Sequence, residues 1–253
     1  MKKVYGKRLR LTPQEVEMVE NHRNTSNVGI IGDTHEPFCH PNYRDFCYEV
    51  FNRFGVTQIV HIGDEVDNSA LSYHEKQTEM PNAESEAEKA QLAMEKWYKT
   101  FPDVKVCVGN HSALPFRQAT TAGIPKRFMK SYEEIWNAPK GWKWKLQWQI
   151  DNVLYEHGTG SSGARAAVNR ATANRQSTVI GHCHSFGGVN YMASRNDLIY
   201  GMNVGCGIDV DAMAFSYGKN FPKKPTLGCG VVLDEGKTAL FIPMDLGSRI
   251  VHI

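Results

Sequence analysis

The feature that most constrains this chain is a unit that occurs four times: a short apolar run, a glycine, then side chains carrying oxygen or nitrogen lone pairs. Val28-Gly29-Ile30-Ile31 breaks at Gly32 and delivers Asp33 and His35, and Ile59-Val60-His61-Ile62 breaks at Gly63 and delivers Asp64, Glu65 and Asp67. Val104 to Val108 leads through Gly109 to Asn110 and His111, and Ser177 to Ile180 leads through Gly181 to His182, Cys183 and His184. A short β-rich run bounded by glycine suits an interior strand of a parallel or mixed sheet, and such sheets hold ligands just past the carboxyl ends of their strands. Carboxylate oxygens and imidazole nitrogens are donors that borderline and hard divalent cations accept. One Asp-x-His is a weak signal, because a lone histidine near a strand end is more often a hydrogen-bonded structural residue. Four such units in one chain are hard to reach by accident.

The intervening segments connect these units. Tyr43, Phe46, Cys47, Val50 and Phe51 recur at spacings of three and four, which predicts a helix with one buried face between the first two strands. Strand, helix, strand implies a right-handed crossover that sets Asp33 and Asp64 at neighbouring strand ends. Residues 69–82 show no clear period, whereas Ala83 to Lys99 reads as a helix packed by an edge of Leu92, Trp97 and Tyr98. Residues 142–150 alternate strictly, with Trp142, Trp144, Leu146, Trp148 and Ile150 on one face and lysines and glutamines on the other. The expectation is one half-buried antiparallel strand, with a stacking platform for single-stranded nucleic acid as the sharper alternative. A strand over 152–156 ends in Glu156-His157-Gly158, and the small residues Thr159 to Gly163 lead into an alanine-rich helix. Such a loop can hold phosphate on free backbone N–H groups, although it lacks the lysine-threonine ending of a Walker loop. From 187 onward, β-rich segments are expected to form a second, mostly antiparallel sheet.

With 253 residues the chain is long enough for one full core. A polar arm over 1–27 precedes a single domain over 28–253. Within the arm, Thr12-Pro13-Gln14-Glu15 starts a short helix to about His22, and Arg8 and Arg10 read as solvated rather than as phosphate contacts. The hydrophobic fraction of 41% and charged fraction of 22% are those of an ordinary soluble protein. A net charge of +2 does not argue for nucleic acid, and the most basic local cluster is Pro125 to Lys130. Six cysteines without a CxxC pair read as reduced thiols of a cytosolic protein. The basic N-terminus has no following apolar stretch and nothing approaches the length of a membrane span, so the expectation is a cytoplasmic protein with no membrane attachment.

Taken together, the ligand-bearing positions resemble those of the calcineurin-like metallophosphoesterases. The family's blocks D-x-H, G-D-x-x-D, G-N-H, a lone H-G and G-H-x-H occur in order as Asp33-Thr34-His35, Gly63-Asp64-Glu65-Val66-Asp67, Gly109-Asn110-His111, His157-Gly158 and Gly181-His182-Cys183-His184. The resemblance spans residues 28–184. It implies an α/β fold, a four-layer α/β/β/α sandwich of two mixed sheets flanked by helices. It also implies a dinuclear site in which Asp33, His35, Asp64 and His184 hold one ion and Asp64, Asn110, His157 and His182 the other. Asp64 would bridge the two ions at a separation of roughly 3.5–4 Å. A metal-activated water would attack phosphorus, with His111 protonating the leaving oxygen and Asp67 orienting His111. His22, His40 and His61 are left as structural or surface residues, His74 reads as a surface residue with contact to substrate as the alternative, and Cys183 is expected to point away from its neighbours into the core, with direct ligation of metal as the alternative.

Departures from the family pattern bear on substrate. Where Ser/Thr protein phosphatases of the family carry Arg-Gly after G-D-x-V-D and Glu after G-N-H, this chain has Asn68-Ser69 and Ser112. The arginine that clamps a phosphomonoester is absent, and Arg117 is the candidate substitute for binding substrate. The insertion over 69–100 and the stretch Gly205 to Asp209 resemble bacteriophage and bacterial members of unassigned substrate. The expectation is a phosphodiesterase acting on nucleic acid or nucleotides. A phosphomonoesterase, including a protein phosphatase, is the alternative, and a non-catalytic binding scaffold is the second. Manganese is the expected ion, with iron, zinc or nickel compatible with the same oxygen and nitrogen ligands.

Overall fold

A computed structural model describes residues 26–72, 82–209, 211–212 and 224–244. The helix expected over 12–22, together with Arg8, Arg10, His22 and His74, lies outside them. Strand β1 (Val28–Ile31) is buried on both faces and is followed by helix α1 (Tyr43–Arg53) and a parallel neighbour, β2 (Gln58–His61). Helix α2 (Ala83–Thr100) starts where the Asn82 side chain accepts from Ser85 N at 2.9 Å, with Glu84 and Glu86 in its first turn. It leads to β3 (Val104–Cys107), parallel to β2, then to the short helices α3 (Leu114–Thr121) and α4 (Tyr132–Ile135).

The alternating stretch 142–150 is not one strand. Trp142–Lys145 forms β4, parallel to β3, whereas Gln147–Ile150 forms β5 in the other sheet, antiparallel to β6 (Val153–Glu156). Leu146, at the crossing, is 78% exposed. The parity of the alternation is kept, but it serves two cores. Trp142 and Trp144 pack against the helix-covered side of the first sheet, while Trp148 and Ile150 enter the space between the sheets. A period of two specifies a strand and not its pairing partner, so alternation alone does not separate one strand from two in different sheets.

Helix α5 (Ala166–Asn174) and β7 (Thr178–Ile180) follow, then the hairpin β8 (Gly187–Ala193) and β9 (Leu198–Val204), and finally β10 (Gly228–Leu233) and β11 (Thr238–Pro243). The six-stranded sheet has the order β11-β10-β1-β2-β3-β4 and the five-stranded sheet the order β5-β6-β7-β9-β8. The segments after 187 therefore divide between the two sheets instead of building one of their own. β10 pairs antiparallel with β1, while β9 pairs parallel with β7.

The layers follow from the alternation of side chains across each strand. Val28 and Ile30 join Val179, Met202 and Val204 between the sheets, while Ile31 faces Phe46, Val50, Met94 and Trp97 of α1 and α2. Ala166 and Ala167 of α5 cover the other sheet around Ile180. The result is an α/β/β/α sandwich of two mixed sheets. The turns after β1, β2, β3, β6 and β7 all leave from carboxyl strand ends, where such sheets bind ligands.

Candidate metal centre

Two carboxylates organise the site, and each is held by backbone from the turn of another strand. Asp33 Oδ2 accepts from His182 N at 2.8 Å, and Asp64 Oδ1 accepts from His111 N at 2.7 Å and Ser112 N at 3.3 Å. The glycines of the strand-Gly units make this approach possible. A Cβ at Gly109 would collide with the Asp64 carboxylate, and one at Gly181 with that of Asp33. His35, Asp64 and His182 themselves adopt left-handed φ angles of 49°, 48° and 61°. Asp, Asn and His tolerate that region better than most residues, and its use at three neighbouring polar positions fits a site whose geometry is imposed by the surrounding packing.

Three groups of side chains offer converging donor atoms: Asp33, His35 and His184; Asp64, His157 and His182; and His35, Asp67 and His111. In the first, His184 Nε2 lies 2.9 Å from Asp33 Oδ2 and 3.2 Å from His35 Nε2. In the second, His157 Nε2 lies 3.0 Å from Asp64 Oδ2 and 2.9 Å from Asn110 Oδ1. Asp64 Oδ2 also lies 3.9 Å from His35 Nε2, so this carboxylate stands between the two groups.

The histidine tautomers follow from their fixed partners. A carbonyl only accepts, so His157 donates from Nδ1 to Ile62 O at 3.2 Å and turns Nε2 inward. His35 Nδ1 lies 2.6 Å from Asp67 Oδ1, which likewise leaves Nε2 facing the site. The donor set fits divalent cations on a separate ground. Asp33 Oδ1 and Asp64 Oδ2 are buried carboxylate oxygens without a hydrogen bond, an arrangement that is costly unless positive charge meets it. Burial disfavours charge on His157, yet Asp64 and Asp33 override it and push its pKa up to about 9.

His111 has a different environment. Its Nδ1 lies 2.6 Å from Asp67 O and 3.2 Å from Asp67 Oδ1, and its side chain is partly exposed. Burial opposes its protonation, but the Asp67 and Asp64 carboxylates prevail and push its pKa up to about 9. Asp67 thus touches both His111 and His35. Arg117 lies on the exposed side of α3, outside the three groups. Cys183 packs against Ala166, Ala167 and Ile180, with Sγ 3.8 Å from Ser161 O.

Several supporting residues escaped the sequence reading. His61 accepts from Gly63 N through Nδ1 and so donates from Nε2 to Thr34 Oγ1 at 3.0 Å, while Thr34 donates to Glu65 O. Burial pushes His61 down to about 4. Glu65 accepts from Ser112 Oγ at 2.6 Å and Trp144 Nε1 at 3.0 Å, and burial pushes its carboxyl up to about 7. Glu86 accepts from Ser69 N, Ser69 Oγ and Ala70 N, steadying the turn in which Asn68 Nδ2 donates to His111 O. The only sequence signal for Glu65 was its place inside G-D-x-x-D. Glu86 had none, because it lies on a helix otherwise rich in surface glutamates.

A family model described as calcineurin-like phosphoesterase matches residues 26–197. The chain belongs to that family. It is accordingly a hydrolase of phosphoester bonds. No curated protein sequence matches it significantly. Among solved structures, vacuolar protein sorting 29 from Cryptosporidium parvum is similar at 12% identity, covering 88% of this chain and 93% of its own, with a TM-score of 0.45. Its counterpart from Chaetomium thermophilum gives 9% identity, 87% and 97% coverage and a TM-score of 0.39. The nuclease MPE of Pseudomonas putida gives 12% identity, 89% coverage of both chains and a TM-score of 0.34. Among the described residues, no helix is long and apolar enough to cross a membrane.

Proposed function

We propose that this calcineurin-like phosphoesterase is a two-cation phosphodiesterase acting on nucleic acid or nucleotides. The observation that carries the reading is the position of Asp64 Oδ2, buried between His157 Nε2 at 3.0 Å and His35 Nε2 at 3.9 Å. In this reading Asp33, His35, Asp64 and His184 hold one divalent ion, and Asp64, Asn110, His157 and His182 hold the other, with manganese the preferred ion. When bound, the pair neutralises the anionic phosphoester and lowers the pKa of the attacking water.

The protein's own groups supply the rest. Asp67 orients His111 through Nδ1, which leaves Nε2 to carry a proton to the leaving oxygen. Backbone N–H groups hold one oxygen of each aspartate, which orients both carboxylates before substrate arrives. Preference for a diester is supported at the two positions where a monoester clamp is missing. Asn68 is engaged with His111 O, and Ser112 with Glu65. Arg117 is the proposed contact for a more distant phosphate.

The test compares bis(p-nitrophenyl) phosphate with p-nitrophenyl phosphate in added manganese, using wild type, Asp64→Asn and His111→Ala. Diester turnover lost in both variants supports the reading and leads to assays on single- and double-stranded DNA. Turnover of the monoester alone makes the protein a phosphatase, and no turnover with any divalent ion leaves the binding scaffold.

A further inference from the structure

Beside the candidate metal centre, the N-terminal half of α5 and the outward face of the β8–β9 hairpin enclose a cavity of about 490 Å³, a size suited to a small ligand. Its walls include Arg165, Val168, Phe186, Asn190, Met192 and Asn203. Two connections tie it to the site. The loop that begins at His157 ends at Arg165, the residue preceding α5, and the turn that carries His182 and His184 ends at Phe186. The two segments touch where Cys183 Sγ approaches Ser161 O. Arg170 fastens the first loop to its helix by donating from Nε to Ser161 Oγ at 2.6 Å.

The deciding observation is Asn203. It is 4% exposed, it forms part of the cavity wall, and its Oδ1 is buried with no hydrogen-bond partner. Leaving a buried amide oxygen unpaired is unfavourable, and an apolar side chain at this position would avoid that. Gly201, two residues earlier on the same face, lets the backbone of Ala167 sit directly on the strand. The first turn of α5 is thereby held over β9 near Asn203, with backbone N–H groups that have no partner within the helix. Arg165 adds a permanent positive charge at the same end.

We propose that this cavity is a substrate subsite that takes a nucleoside monophosphate unit next to the scissile bond. The phosphate charge meets Arg165 and the first turn of α5, a hydroxyl or amino group of the sugar or base donates to Asn203 Oδ1, and Val168, Phe186 and Met192 cover the apolar part. This inference rests on the nucleic-acid reading of the same site and makes it specific: the enzyme recognises a nucleotide and not only a phosphoester.

The test is calorimetric titration of the full chain, in chelator, with adenosine monophosphate and with inorganic phosphate. Working without divalent ions separates this subsite from the metal centre. Adenosine monophosphate is expected to bind at least roughly tenfold more tightly than phosphate, and Arg165→Ala and Asn203→Ala are each expected to weaken it roughly tenfold. Asn203→Leu keeps the approximate shape and removes the acceptor, so it should weaken nucleotide binding similarly, and without a buried unpaired oxygen the melting temperature should not fall. Equal affinity for phosphate and the nucleotide, no binding, or undiminished binding in Arg165→Ala and Asn203→Leu would overturn the proposal. Failure of the phosphodiesterase reading shows elsewhere, as absent turnover with every divalent ion while the nucleotide still binds.

Discussion

Asp67 Oδ1 lies 2.6 Å from His35 Nδ1, so the carboxylate expected to serve the general acid also fixes a candidate metal ligand. The same oxygen lies 3.2 Å from His111 Nδ1. One side chain therefore sets the tautomers of two histidines with different tasks.

Asp67→Asn should accordingly reduce both turnover and metal retention. The amide oxygen can still accept from Nδ1–H but carries no charge, so it neither stabilises an imidazolium nor holds the two rings as strongly. A loss of roughly 10- to 100-fold in metal affinity is expected, the usual effect of removing a partner that orients a ligand. Metal analysis after dialysis, alongside steady-state kinetics, checks this. A fall in kcat with unchanged metal content would restrict Asp67 to His111.

Gly109→Ala forces a Cβ against the Asp64 carboxylate. Displacing a group at the centre of the site by even an ångström is expected to lower kcat roughly 100-fold, with destabilisation of about 1–3 kcal/mol. Circular dichroism melting and diester hydrolysis measured on one preparation separate the two effects.

Glu86→Ala leaves Ser69 N and Ala70 N without their buried acceptor. A destabilisation of about 2–3 kcal/mol is expected, lowering the melting temperature by roughly 5–10 °C. Because this turn also carries Asn68 to His111 O, kcat should fall while metal affinity stays unchanged. Calorimetry with manganese reads the affinity directly.

Chelation should destabilise the protein. Asp33 and Asp64 bury their carboxylates at the centre of the site, and an ion that binds only the folded state stabilises it by about 2.7 kcal/mol at 100 times its dissociation constant. The melting temperature is expected to rise by roughly 5–10 °C from EDTA to excess manganese. In Asp64→Asn most of that rise should disappear.

Cys183→Ser should bind the same amount of metal as wild type, although Cys183 stands between two candidate ligands. Its thiol packs against Ala166, Ala167 and Ile180, with Sγ 3.8 Å from Ser161 O, and is in none of the three donor groups. A loss of metal from this variant would make the thiol a ligand.

Local chemistry wrote much of this protein into its sequence. Each strand-Gly unit needs only an apolar run, a glycine and a polar turn, all contiguous, so β1, β2, β3 and β7 and the side chains beyond them are legible one at a time. The spacing of Phe46, Cys47, Val50 and Phe51 likewise gives α1 its buried face. What tertiary structure decided is partnership. Residues 142–150 keep one alternation but cross from β3 to β6, because periodicity is local and strand pairing is not. The segments after 187 divide between β1 and β7 for the same reason. Asp67 is shared by His35 and His111, Glu65 lies behind Ser112 and Trp144, and Asn203 faces a cavity under α5, through contacts between residues far apart in the chain. A sequence names the groups that can do the chemistry, while the close approach of distant strands decides which of them share an oxygen, a proton or a cavity.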